Sequence, residues 1–150
     1  RKESSAASDV YKRQVDSVAQ LNPSKVFIMV GLNDVNFGSK SAEAIAEDLI
    51  TLAGAVKDSC PSAKVYILSL LPVTSGFEAR DTNKITQSAI DDVNDTVSVL
   101  AASAGYTYID VASAYKNGAG YLNPDYSTNG MNLHHDYYAF LLNSIAEVAK

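Results

Sequence analysis

Three short apolar runs constrain this chain more than anything else in it: KVFIMV at residues 25–30, KVYILSL at 64–70 and YTYID at 106–110. Each is strand-sized and rich in β-branched or aromatic residues. The first two are nearly continuous in apolar character, as strands covered on both faces are. The stretches between them carry apolar residues at helical spacing. Strands separated by helices cannot pair as hairpins, so parallel crossovers of the usual right hand are expected. The predicted class is α/β, a three-layer α/β/α arrangement around a parallel, doubly wound sheet of flavodoxin-like type. In such sheets function gathers in the loops at the carboxyl ends of the strands.

The helical segments can be placed. Val15, Val18, Ala19 and Leu21 predict a helix that ends near Asn22-Pro23, where proline stops it. Ser41 is the expected cap of a helix running to about Ser59, with Ile45, Leu49, Leu52 and Val56 as its buried stripe. A long helix over 84–104 presents Ile85, Ala89, Val93, Val97, Leu100 and Ala101, and Gly105 closes it. A short helical turn is expected within 111–116. A closing helix over 136–149 has Tyr138, Leu141, Leu142 and Ile145 on one side. Loops are expected over 31–40, 73–83 and 117–130.

Size and charge narrow the function classes. At 150 residues the chain has the length of one domain, and 47% hydrophobic residues suffice for a core. The net charge of −5 leaves no basic surplus to neutralise phosphates, so nucleic acid is not an expected partner. Cys60 is the sole cysteine, which excludes an intramolecular disulfide. No apolar run approaches the ~20 residues of a membrane span. Residues 1–14 (RKESSAASDVYKRQ) lack apolar periodicity and are expected to be a non-native or disordered N-terminal segment. The domain proper is expected over 15–150.

The chemistry-bearing residues fall where the fold predicts. After the first strand comes Gly31-Leu32-Asn33-Asp34-Val35, and near the C-terminus YLNPDYSTNGMNL runs into a Tyr-rich helix. Read alone, the first is a strand-terminating turn. The order strand, GLNDV, helix, strand, LPV, helix, strand, YLNPDYSTNGMNL resembles the SGNH hydrolases, also called GDSL-type esterases, and bacterial members in particular. The resemblance implies an acyl-ester hydrolase fold acting on acylated carbohydrate or lipid, with no cofactor. Four blocks build that family's site: a GDS block with the serine nucleophile, a block with a backbone glycine, a GxND block whose Asn helps hold the oxyanion, and a DxxH block with acid and base.

Carried over position by position, Asn33 matches the oxyanion Asn, and Gly31 and Asp34 its supporting turn. The last block aligns as Asn129-Gly130-Met131-Asn132-Leu133. The acid position therefore holds Asn129 and the base position Asn132. The GDS and second-glycine blocks are not found in this chain, and the first strand of the sheet is expected to be missing with them. A carboxamide takes up no proton near neutral pH, so Asn132 cannot act as base, and Asn129 carries no charge to steady an imidazolium. No intact catalytic set is expected.

The alternatives are weaker. His134 and His135 offer a shifted base, but a polar, solvent-facing loop-to-helix junction accounts for them. No metal site is expected, because consecutive histidines rarely converge on one ion. Asp110 is the expected cap of a turn. Ser69 and Ser75 lack the Gly-x-Ser-x-Gly elbow. Three expectations follow about partners: a small-molecule or carbohydrate ester ligand, no membrane span, and self-association through exposed sheet surface. The competing functional reading is a non-catalytic ligand-binding or scaffold module of the same fold.

Overall fold

The computed structural model describes residues 13–149 apart from Val30, Ser39, Asp81 and Asn83, with only the backbone of Asn33, Asn36, Phe37, His135, Tyr138, Ala139 and Ser144. The expectation for residues 1–14 lies outside this range, save that 13 and 14 open a helix, α1 (residues 13–20).

The strands are β1 (Lys25–Ile28), β2 (Lys64–Leu68) and β3 (Thr107–Ile109), in the order β1-β2-β3. Both pairings are parallel. Ile28 lies opposite Ile67, and Leu68 opposite Ile109. The predicted parallel α/β sheet is present, with each strand shorter than its apolar run. The surplus of β2, Ser69 and Leu70, forms its exit at the carboxyl edge.

Two cores lie on opposite faces of this sheet. Helices α3 (Ala42–Ser59) and α5 (Gln87–Ala104) pack on one face, where Ile45, Leu49, Val56, Ile90, Val93 and Val97 meet Val65 and Ile67. On the other face α6 (His135–Val148) brings Leu141 and Ile145 against Tyr66, Leu68 and Ile109. The period of two along β2 decides this split, since successive side chains enter opposite cores. Helices thus cover both faces, giving the three expected layers.

Local signals set the helix ends. Ser41 accepts the Ala44 N–H at 3.1 Å and caps α3, and Gly105, at φ 82°, ends α5. Several expectations need correction. Residues 31–40 are not an open loop: α2 (Leu32–Phe37) occupies most of them, with Gly31 ahead of it and Gly38 behind. A short helix, α4 (Ser75–Glu78), stands within 73–83, capped by Thr74. The long helix begins at Gln87 rather than 84, because Thr86 caps it. Ile85 is buried but precedes the helix, while Ala89 and Leu100 are only partly buried. Leu142, placed on the apolar side of the closing helix, is 65% exposed, and Leu21 is 80% exposed. Leu142 lies one residue round from Leu141, off the narrow stripe that meets the sheet. The predicted position of Tyr138 lies outside the described side chains.

Candidate functional site

The exits of the strands build the site. Gly31 follows β1 with φ 125°, a value that favours glycine. A Cβ there would lie 3.3 Å from Ile45 Cγ2 and 4.0 Å from Leu70 Cδ1, so the backbone passes close to both α3 and the chain leaving β2. The Gly31 carbonyl accepts the Val35 N–H at 3.2 Å and starts α2. Asn33 is the second residue of this helix. Its backbone is thereby placed at the carboxyl edge, and its side chain lies outside the described atoms. Asp34 falls in the first turn, where a carboxylate favours the positive end of the helix.

Beyond β2, the chain from Ser69 to Thr74 crosses the edge of the sheet. Its residues grip the last block directly. Thr74 N–H donates to the Gly130 carbonyl at 2.9 Å, and Leu122 N–H donates to the Val73 carbonyl at 2.8 Å. The exit of β1 and the last block therefore stand against the same segment, Gly31 beside Leu70 and Gly130 beside Thr74.

The last block is a tight polar turn. Asn129 Oδ1 accepts the N–H groups of Met131 at 3.0 Å and Asn132 at 2.8 Å. Ser127 Oγ accepts the Gly130 N–H at 3.0 Å and donates to the Asn132 carbonyl. Arg80 Nη2 donates to the Asn129 carbonyl at 3.0 Å. Asn129 and Asn132 are both exposed, while Leu133 is buried and anchors the turn. His134 is the residue before α6. Its N–H donates to the Tyr126 carbonyl at 2.7 Å, and its side chain makes no capping bond. The side chain of His135 lies outside the described atoms.

Other candidates have structural roles. Asp110 accepts the N–H of Ser113 at 3.2 Å, as a turn cap does. Ser69 is buried and accepts the N–H groups of Val111 and Ala112 at 2.9 and 3.0 Å. Among the described residues no group of three His, Cys, Asp or Glu converges as metal ligands, and no helix is long and apolar enough to cross a membrane. Two residues at the edge were not singled out from the sequence. Glu78 accepts the Gln87 N–H at 2.6 Å and the Tyr121 hydroxyl at 3.2 Å, and Gln87 accepts the Val73 N–H at 2.9 Å. No sequence signal marks Gln87: it stands off the Ile85, Ala89, Val93 stripe and reads as a polar position of the helix.

Burial raises the Tyr108 hydroxyl to a pKa of about 12, assisted by the charges of Asp110 and Asp95 and opposed by a hydrogen bond with Ser69. The Tyr121 hydroxyl is also raised, first by its hydrogen bond to Glu78. Both hydroxyls are therefore neutral at physiological pH, and that of Tyr121 donates to Glu78.

Several known proteins are similar to this chain. A curated relative, the N-acylneuraminate cytidylyltransferase of Escherichia coli O18:K1:H7, is 29% identical over 126 residues, which is 83% of this chain but 28% of that protein. Among solved structures, a GDSL-like lipase from Bacteroides thetaiotaomicron superposes with a TM-score of 0.75 at 22% identity, covering 91% of this chain and 67% of its own. A lipase/acylhydrolase from Enterococcus faecalis gives 0.72 at 18%, with coverages of 91% and 66%. A carbohydrate esterase family 3 protein from Talaromyces cellulolyticus gives 0.68 at 20%, with coverages of 94% and 64%. The chain thus spans about two thirds of these structures' length and about a quarter of the curated relative. At these identities the superpositions establish the fold. A family model matches residues 2–136, from the N-terminal segment through the GLNDV turn and the last block to the start of α6, and on that match the chain belongs to the GDSL-like lipase/acylhydrolase family.

Proposed function

We propose that this chain carries the ligand-facing edge of an acyl-ester hydrolase fold without the groups that perform acyl transfer. The observation that supports this most is at the last block. Asn129, at the acid position of the family pattern, uses its side-chain oxygen on two local N–H groups, and Asn132, at the base position, is an exposed carboxamide. Acyl transfer by serine needs a base in contact with the hydroxyl and an acid that orients the base. Neither amide takes a proton near neutral pH. Gly31, Asn33 and Asp34 are the oxyanion-side residues of this reading. His134 and His135 stay outside the chemistry.

The ligand class is an acylated carbohydrate or a related small ester, bound at the carboxyl edge without a cofactor. The carbohydrate esterase from Talaromyces cellulolyticus lends this class its support. A binding or scaffold role is the second reading of the same edge, and the absence of base and acid favours it over turnover.

The test is hydrolysis of short-chain p-nitrophenyl esters by the purified chain. Rates at background are expected. Clear turnover that His134→Ala or His135→Ala abolishes would mean that a shifted histidine serves as base and that the last block is aligned wrongly.

A further inference from the structure

Among the described residues, the buried polar side chains are Ser69, Gln87 and Asn94, and all three bond to the backbone on or beside one six-residue segment, the exit of β2. Ser69 lies on that segment and receives Val111 and Ala112 from the exit of β3. Asn94, in mid-α5, accepts the Leu70 N–H at 2.8 Å and donates to the Leu70 carbonyl at 3.1 Å, as a neighbouring strand would. Gln87 accepts the Val73 N–H at 2.9 Å, and its Nε2 donates to Asp91 at 2.9 Å, which Lys116 also contacts at 2.8 Å.

Buried polar groups with partners fix one arrangement, because the alternative leaves a backbone group unpaired in a dry interior. The segment so fixed is the one that grips the last block, through Val73 to Leu122 and Thr74 to Gly130. We infer that Gln87 is a positioning residue: through Val73 it holds the β2 exit in the conformation that pins Leu122 and Gly130, and so sets where Asn129 and Asn132 stand. This holds whether or not the edge turns over an ester.

Site-resolved amide hydrogen exchange on the full chain tests it. Gln87→Asn, one methylene shorter, withdraws the acceptor from Val73. Exchange at Val73, Thr74 and Leu122 should rise at least tenfold, about 1.4 kcal/mol of local opening, while Leu49, Ala53 and Val56 in α3 stay as in the parent. Gln87→Met, equal in length but without the acceptor, should raise exchange at the same three sites, which separates loss of the hydrogen bond from loss of side-chain volume. Equal acceleration in α3 would mean a general core defect and overturn the inference. Unchanged exchange at Thr74 and Leu122 in Gln87→Asn, or parent-like protection in Gln87→Met, would overturn it as well.

Discussion

Gly130 stands so close to Thr74 that a Cβ on the glycine would lie 2.6 Å from Thr74 Oγ1, and 2.8 Å from Phe77 Cβ, while the Gly130 carbonyl receives the Thr74 N–H at 2.9 Å. The glycine's φ is 84°. It is the point where the last block is pressed onto the exit of β2, and only a residue without a side chain fits there. Gly130→Ala meets a left-handed backbone and a collision with α4 together. The expected cost is about 2–3 kcal/mol in chemical denaturation. A loss under about 0.5 kcal/mol would show that the two loops separate freely.

The Asn129 turn makes a second, gentler prediction. Its Oδ1 accepts two N–H groups, and an aspartate can accept both as well. Asn129→Asp should leave stability within about 0.5 kcal/mol of the parent, whereas Asn129→Ala should lose about 1 kcal/mol. Equal effects of the two would mean that the turn does not depend on that oxygen.

Tyr108 predicts a pH dependence. Its hydroxyl titrates near 12 in the folded chain, above the ordinary value of 10.0, chiefly because it is buried. The folded state therefore favours the neutral form. The stability this contributes is complete below about pH 10 and is lost as the pH rises through about 12. A spectrophotometric titration of the tyrosines should show a late-ionising component that Tyr108→Phe removes. A titration complete by pH 11 would contradict it.

The strands and the two long helices were legible because burial leaves a periodic trace. A continuous apolar run marks β2, and the Ile45, Leu49, Val56 stripe marks α3. α2 was not legible: LNDVNF is built of turn residues, and only Gly31 and Gly38 on either side make it a closed six-residue helix. The Asp110 cap was legible because the chain determines it locally, three residues from the Ser113 N–H it accepts. Gln87 and Asn94 read as polar positions of an amphipathic helix. Their function depends on Val73 and Leu70, 14 and 24 residues away, and no local pattern records that.

The sheet edge suggests association. In the described residues β1 is an outer strand, and its Phe27, stacked on Tyr66 at 4.9 Å, remains 40% exposed. An outer strand with an exposed aromatic face favours contact between copies. Sedimentation velocity should show concentration-dependent association that Phe27→Lys weakens. A monomer at every concentration would refute this.

The last prediction separates fold from chemistry. On the proposed alignment, Asn129→Asp and Asn132→His together put the family's acid and base at positions that tolerate them, since both side chains are exposed. The doubly substituted chain should fold as the parent does and still fail to hydrolyse p-nitrophenyl esters, because no serine block supplies a nucleophile. In a longer chain that carries such a block, the same pair should raise turnover by at least ~10³, since acid, base and nucleophile act as one unit. The hydroxyl best placed to contradict this is Ser127, which bonds to the Asn132 carbonyl and lies 3.4 Å from Asn129 Oδ1. Hydrolysis by the doubly substituted chain that Ser127→Ala removes would show that this serine can act as nucleophile, and that the missing chemistry is confined to two amides.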